Sequence, residues 1–291
     1  MLVTRLLFAW WFRPGKTRFL KVGGLKRSYL IHLPPGYDPR TPTPVVLALH
    51  GATMNGPMMA WFSGLSKKAD EAGFIAVYPD GTGTFSSLNW NAGTCCGSAV
   101  QKNIDDVGFI NAVLDDLIQG FNADPRRIYV TGMSNGGMMA YRLASELSDR
   151  IAAIAPVSGT MGTRTCHPHR PVPILHIHGT ADKFMPYAGG RSPSGKLLYS
   201  VDHSIQAWVK ANGGDETPLR DVLSKPEDEM EVTRAIYRAE QHGLEVVLVV
   251  IEGGGHTWPG MKSPSRSLGK SALNISANDL MWEFFQKYQL T

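Results

Sequence analysis

The feature that most constrains this chain is a series of short apolar runs, each closing on a turn and separated from the next by a longer segment. The runs are 44–50 (PVVLALH), 73–78 (GFIAVY), 127–131 (RIYVT), 151–157, 174–178 (ILHIH) and 246–251 (VVLVVI). Strict apolar/polar alternation marks a strand with one wet face, whereas a run apolar throughout marks one covered on both faces, as in a parallel sheet. Parallel neighbours need crossover connections, and the intervening segments 60–72, 107–121, 137–147, 204–211 and 277–288 have the periodicity of helices. The expected fold class is therefore α/β: a mostly parallel central sheet with helices on both faces, in a single domain over 1–291, without a large lid. Within it, residues 1–26 read as an amino-terminal strand or arm, and 183–240 as an excursion on the same domain.

Composition sets the limits. Hydrophobic residues at 43% and charged residues at 19% describe a chain that can bury a large core and is not intrinsically disordered. Lys plus Arg at 29 against Asp plus Glu at 25 gives a net charge of +4 without a basic block, so neither a nucleic-acid footprint nor an acidic tail is indicated. No apolar run approaches the roughly 18 residues of a membrane-spanning helix. The start of the chain, with Arg5 before an apolar stretch, resembles a secretory signal, but Arg13 and Pro14 follow at once without a small-residue cleavage site. It reads instead as a first strand or surface arm.

The third run ends in Gly132-Met133-Ser134-Asn135-Gly136, the G-x-S-x-G pattern in which a strand turns sharply into a helix and lifts a serine above the sheet. Its required context is present, a strand pattern before and a helix-compatible segment after. Serine at its normal pKa is a weak nucleophile and needs a base held in one tautomer by an acid. In the order nucleophile, acid, base, Asp182 is the best acid, because it ends the strand-turn HIHGTAD; Asp202, Asp215 and Asp221 fall in less ordered sequence. His256 is the best base, on the glycine-rich turn after the last strand. His50, His176 and His178 lie in or at the ends of strands, where packing is the simpler reading, and His167, His169, His203 and His242 lie in polar segments. Two backbone donors for an oxyanion are expected: the N–H of Asn135, and one from the loop after the first run, with Ala52 first choice and Thr53 second. Asp105-Asp106 reads as a helix N-cap and first-turn charge, not a metal pair. Three cysteines, Cys95, Cys96 and Cys166, are too few for a disulfide scaffold and badly spaced for a metal site. Trp90 and Trp258 sit in glycine-rich loops, and pocket walls are preferred for them over ordinary packing.

The segments LHGATMNG, VYPDGT, NWNAGTCCG, NIDDVGFI, GMSNGGMMAYRLA, RPVPILHIHGTAD and GGGHTWPG, in this order, resemble the polyhydroxybutyrate depolymerase and feruloyl esterase family of α/β-hydrolases, relatives of family-one carbohydrate esterases. The likeness runs from about residue 27 to residue 288; the elbow is common to all α/β-hydrolases, while the CCG and HTWPG segments are much more specific. The resemblance implies hydrolysis of a carboxylic ester through Ser134, Asp182 and His256, with no metal and no cofactor. The ester would be feruloyl or a related aromatic or short-chain ester, polymer-bound or not, with poly(3-hydroxyalkanoate) and acetyl xylan as alternatives. Members often carry cysteine where this chain has Ala52, a departure that leaves a backbone donor intact. Adjacent cysteines rarely bond to each other, and the resemblance favours a bridge from Cys95 or Cys96 to Cys166; three free thiols is the alternative in a reducing compartment. It also implies a secreted or periplasmic home, against which the poor signal sequence stands. A serine peptidase with the same triad order would bring a large extra domain, and a non-catalytic binding protein is expected to have lost a triad member. Neither description fits this sequence.

Overall fold

The computed structural model describes residues 15–84, 87–192, 195–225, 229–240 and 243–291; the apolar segment before residue 15 and His242 lie outside them. The described chain opens with an antiparallel hairpin, β1 (Lys16–Val22) and β2 (Leu25–His32). It continues through β3 (Thr43–Leu49), α1 (Gly56–Ser63), α2 (Leu65–Ala72), β4 (Ile75–Pro79), the short pair β5 (Thr82–Thr84) and β6 (Ser87–Asn89), α3 (Gly97–Gln101) and α4 (Asp106–Phe121). Next come β7 (Ala123–Met133), α5 (Asn135–Glu146), β8 (Ala153–Val157), β9 (Ile174–Gly179), the short pair β10 (Gly190–Arg191) and β11 (Leu197–Leu198), and α6 (Val201–Ala211). β12 (Leu219–Ser224), β13 (Val232–Ala239), β14 (Leu244–Ile251) and α7 (Ala277–Phe285) complete it.

Ten of the described strands form one sheet in the order β1-β2-β4-β3-β7-β8-β9-β14-β13-β12. Its middle, from β4 to β14, is parallel, and these strands arise from the six apolar runs. Alternate residues serve opposite faces: Val45, Leu47 and Leu49 join the core under α4, α5 and α6, while Val46 and Ala48 join the core under α1, α2 and α7. Burial on both faces is what made the runs continuous.

Two expectations need correction. Residues 183–240 are not an excursion throughout, because β13 and the edge strand β12 extend the central sheet in antiparallel fashion. In β12 only Ser224 is buried, and such an exposed edge carries no apolar signature. The helix expected over 60–72 is two helices. Asn55 caps α1 by accepting from the Met58 N–H, and Gly64, at φ 61°, ends it in the left-handed region that favours glycine.

Beside the central strands, Arg27 on β2 donates to Asp106 Oδ1 at 2.7 Å, with side-chain exposures of 4% and 0%. The other carboxylate oxygen of Asp106 accepts from the Asn91 N–H at 2.7 Å, so this acid ties β2 and the loop after β6 to the start of α4. Removing one member of a buried ion pair strands the other, at a cost of about 3–5 kcal/mol. Asp106→Asn is therefore expected to lower the unfolding free energy by about that amount in urea denaturation; a loss under about 1 kcal/mol would contradict this role.

Candidate active site

Ser134 sits between β7 and α5 at φ 56° and ψ −119°, a strained backbone held by its surroundings. Its N–H donates to the Val157 carbonyl at 3.0 Å. The turn closes because backbone packs directly on backbone. A Cβ on Gly132 would lie 2.5 Å from the Gly136 carbonyl, one on Gly136 2.2 Å from the Leu49 oxygen, and one on Gly159 2.3 Å from the Ser134 oxygen. Gly132 and Gly136 are the pattern's own glycines. Gly159, after β8, is a third that the pattern does not include.

β9 and β14 are parallel neighbours, and their ends deliver two further side chains. A Cβ on Gly179 would meet the Gly254 oxygen at 2.2 Å, so the turns after these strands lie against each other. Asp182 Oδ1 accepts from the Phe184 and Met185 N–H groups, both at 2.9 Å. Its Oδ2 accepts from His256 Nδ1 at 2.7 Å. Burial pushes the Asp182 carboxyl up, but its hydrogen bond and charge interaction with His256, the nearby His178 and the Met185 N–H outweigh this and hold it below the usual carboxylate range. An ionised Asp182 keeps the proton on His256 Nδ1 and leaves Nε2 as the acceptor. Ser134 and His256 line the same cavity. Of the other acids weighed, Asp215 caps its own turn and Asp221 pairs with Arg234, both exposed. Asp202 reaches Tyr187.

The buried histidines form supports. His50 Nδ1–H donates to the Gly51 carbonyl at 2.8 Å, and its Nε2 accepts from the Gly81 N–H at 2.9 Å. Burial pushes its pKa down to about 4. His178 Nε2 lies 2.7 Å from the Met185 carbonyl, which can only accept, so that nitrogen carries the proton. The direction propagates: His176 Nε2–H donates to His178 Nδ1 at 3.0 Å, and the Tyr141 hydroxyl donates to His176 Nδ1 at 2.8 Å. Burial drives both pKa values down, so this chain is neutral and braces the loop that supplies donors to Asp182.

Asn135 begins α5, where the N–H groups of the first turn lack intrahelical partners. The Ala52 N–H makes no hydrogen bond among the described residues. The Thr53 N–H does, donating to the Leu88 carbonyl at 2.9 Å, so Thr53 is removed from the expected donors. The expectation for the two tryptophans is also corrected. Trp90 and Trp258 are 0% and 1% exposed and do not line the cavity. A buried indole needs a partner for its N–H. Trp90 finds the His50 carbonyl and Trp258 the Asn278 side chain, each at 3.0 Å. Trp90 also receives the Asn135 side chain, which accepts from its N–H at 2.8 Å and donates to its carbonyl at 3.2 Å. It thereby clamps the strand end before Ala52 to the residue after Ser134.

The cavity over Ser134 measures about 590 Å³. Its apolar wall comes from residues that were not among the expected site residues: Met58, Trp61 and Phe62 on α1, Met138 on α5, and Phe184 and Leu198 after Asp182. The signal was an apolar stripe exposed at intervals, Met58 at 41% and Trp61 at 53%, which is visible only once α1 is oriented. Cys95 and Cys96 also line it, disulfide-bonded to each other, while Cys166 is a free, half-buried thiol. The bridge expected from Cys95 or Cys96 to Cys166 is not the pairing the structure places, which joins Cys95 to Cys96. Among the described residues, no group of three or more His, Cys, Asp or Glu side chains is arranged to hold a metal ion, and no helix is long and apolar enough to cross a membrane.

Comparison with known proteins places the chain among esterases. The family described as "Putative esterase" matches residues 23–260. "Putative esterase NocK" of Nocardia uniformis is 32% identical, over 92% of this chain and 81% of its own length. Feruloyl esterase D of Neurospora crassa is 26% identical over 95% of this chain and 87% of its length. Feruloyl esterase B of Piromyces equi is 31% identical over 79% of this chain, which spans 42% of that protein. In structure, an acetyl xylan esterase from Aspergillus awamori superposes with a TM-score of 0.65 at 18% identity, covering 94% of this chain and 99% of its own, which shows the α/β-hydrolase fold.

Three results are expected. The folded protein keeps His50, His176 and His178 neutral, while the unfolded chain protonates them below about pH 6.5. Stability is then complete above that pH and declines below it, by roughly 2 kcal/mol between pH 7 and pH 5 for His50 alone, whose folded pKa is about 4, with His176 and His178 acting in the same direction. Urea unfolding at the two pH values measures this, and equal stability would contradict buried neutral histidines. Asn135→Ala, which keeps its backbone N–H, should lower stability by about 1–3 kcal/mol by stranding the Trp90 backbone groups; an unchanged urea midpoint would refute the clamp. In oxidised, unfolded Cys166→Ser protein no thiol should titrate, whereas two would be found if Cys166 were the native partner of a neighbour.

Proposed function

The chain belongs to the "Putative esterase" family and is a carboxylic-ester hydrolase; from that premise we propose that it works through an acyl-enzyme on Ser134, with His256 as base and Asp182 as its orienting acid. The observation that carries this reading is the Asp182 Oδ2 to His256 Nδ1 bond of 2.7 Å beside a serine on a strained elbow, all at one cavity. Ser134 Oγ attacks the acyl carbon as its proton passes to His256 Nε2. The Asn135 and Ala52 N–H groups receive the oxyanion, a stabilisation of about 3 kcal/mol per donor. Collapse expels the alcohol, protonated by His256. Water, activated by the same ring, then attacks the acyl-enzyme and releases the acid, restoring Ser134.

The acyl group is a hydroxycinnamoyl or other compact aromatic acid. Two curated relatives are named as feruloyl esterases, and the cavity supports that class for this chain through flat and sulfur-bearing walls at Phe62, Phe184 and Met138. Stacking against such walls contributes about 0.5–1.5 kcal/mol beyond area burial. Lys196, whose pKa burial lowers, adds a cation to the cavity, suited to an oxygen on the ring of the acid. Two residues of its wall, Met58 and Trp61, are exposed at 41% and 53%, which suits esters carried on a polymer.

Ser134→Ala and His256→Ala should each lower kcat by at least about 10⁴-fold with the fold intact, and Asp182→Asn by somewhat less, because the three act as a unit. Comparing kcat/KM for methyl ferulate, p-nitrophenyl acetate and p-nitrophenyl palmitate tests the acyl class. Methyl ferulate should be a good substrate and palmitate the poorest; fastest turnover of palmitate would overturn the compact aromatic pocket. Near-full activity in Asp182→Asn would assign the acid to another residue.

A further inference from the structure

Two histidines approach one oxygen of Asp182. His256 Nδ1 lies 2.7 Å from Oδ2, and His178 Nε2 lies 3.7 Å from the same atom, with the side chains of His178 and Asp182 both 0% exposed. The first contact orients the base; the second touches no reacting atom. Its meaning depends on where the His178 proton sits. The Met185 carbonyl, 2.7 Å from Nε2, can only accept, so Nε2 is protonated. Nδ1 is then left to accept from His176, whose own Nδ1 accepts from the Tyr141 hydroxyl. In the opposite tautomer a lone pair, and not a proton, would face the Asp182 carboxylate.

At that distance the second contact is too long for a hydrogen bond. Its effect is electrostatic, because in a dry interior the positive end of an N–H dipole beside a carboxylate favours the charged form. The same proton also anchors the loop. Phe184 and Met185 donate their N–H groups to Asp182 Oδ1, so the carbonyl that His178 holds belongs to a residue that fixes the carboxylate's rotation. We propose that His178 is a positioning residue for ester hydrolysis: its Nε2 proton, aimed by the Tyr141-His176 chain, fixes the Asp182 carboxylate against His256 and limits how tightly that carboxylate holds the proton on the base. This rests on the reading of Ser134, Asp182 and His256 as the triad, and it names what sets that site's response to pH. Around His178, burial drives His176 down and Tyr141 and Tyr187 up, as it does Cys166 behind Tyr141, so these groups stay neutral near pH 7. The Tyr187 ring meets His178 edge-on at 5.9 Å, and its hydroxyl donates to Asp202 at 3.4 Å.

The test measures kcat and KM on p-nitrophenyl acetate from about pH 5 to about pH 9 for the natural chain, His178→Leu and His178→Gln, since a glutamine amide can donate where Nε2–H does and leucine cannot. His178→Leu should lower kcat about tenfold at an unchanged KM. It should also move the rising limb of kcat/KM upward by about half a pH unit, because Asp182 then holds the proton of the base more tightly. His178→Gln should stay within about threefold of the natural chain, with its limb in place. In an Asp182→Asn background His178→Leu should cost nothing further, as the group it positions is gone. The tautomer is read in the natural protein, with no variant to fold: nitrogen NMR of isotope-labelled histidine should show His178 protonated at Nε2 and bare at Nδ1 throughout this range. A proton at Nδ1, natural kinetics in His178→Leu, equal losses in His178→Leu and His178→Gln with the limb unmoved, or the same loss added on top of Asp182→Asn would each overturn the inference and leave the triad standing. Near-full activity in Asp182→Asn alone overturns the triad reading, and this inference with it.

Discussion

The contact on which the rest of this structure depends is backbone against backbone around Ser134. Gly132, Gly136 and Gly159 stand where three strand ends converge, and at each of them a side chain would overlap a main-chain atom of a neighbour. Those close approaches let α5 leave β7 at a sharp angle and hold Ser134 in a conformation that L-residues rarely adopt. The parallel order β3-β7-β8 makes this tolerable, since β7 is paired on both sides and fixed before the turn begins. The strain is local, and the sheet that confines it is the most buried part of the molecule.

From that point the site is assembled by strand ends. β3 contributes the segment from His50 to Ala52, β9 contributes Asp182, and β14 leads to His256. Each is braced by hydrogen bonds: His50 by the Gly81 N–H, Asp182 by the Phe184 and Met185 N–H groups, and the Met185 carbonyl by the neutral Tyr141-His176-His178 chain. Trp90 links the two segments carrying the proposed oxyanion donors through its indole, its N–H and its carbonyl. Preorganised donors need such supports, because a donor free to relax toward the ground state stabilises the transition state less.

The six central strands could be read directly from the sequence because burial on both faces leaves no polar residue to interrupt them. The antiparallel strands β2, β12 and β13 could not, since a strand with an exposed face mixes Lys, Arg and Asp with its apolar residues. At the site, Ser134, Asp182 and His256 were legible because each follows a strand, and topology brings strand ends together. Trp90 and Trp258 were misjudged for the reason that made them conspicuous: a glycine-rich loop looks open in sequence, yet glycine is also what lets a loop fold closely over a buried indole. Met58, Trp61 and Phe184, which do face the cavity, look like ordinary core residues until the break at Gly64 fixes the direction of α1. Local sequence marks which residues are apolar, while their facing is decided by contacts distant in the chain.

The central claim is covalent: the ester's acyl group passes through Ser134. Acid-quenching the protein within milliseconds of mixing with an excess of p-nitrophenyl ester, then mapping peptides by mass, tests it directly. The account predicts the acyl mass on the peptide containing Ser134, at a level that matches the burst of nitrophenolate, and its absence when the serine is alanine. Steady turnover with no modified peptide, or with the acyl mass on a different residue, would contradict it.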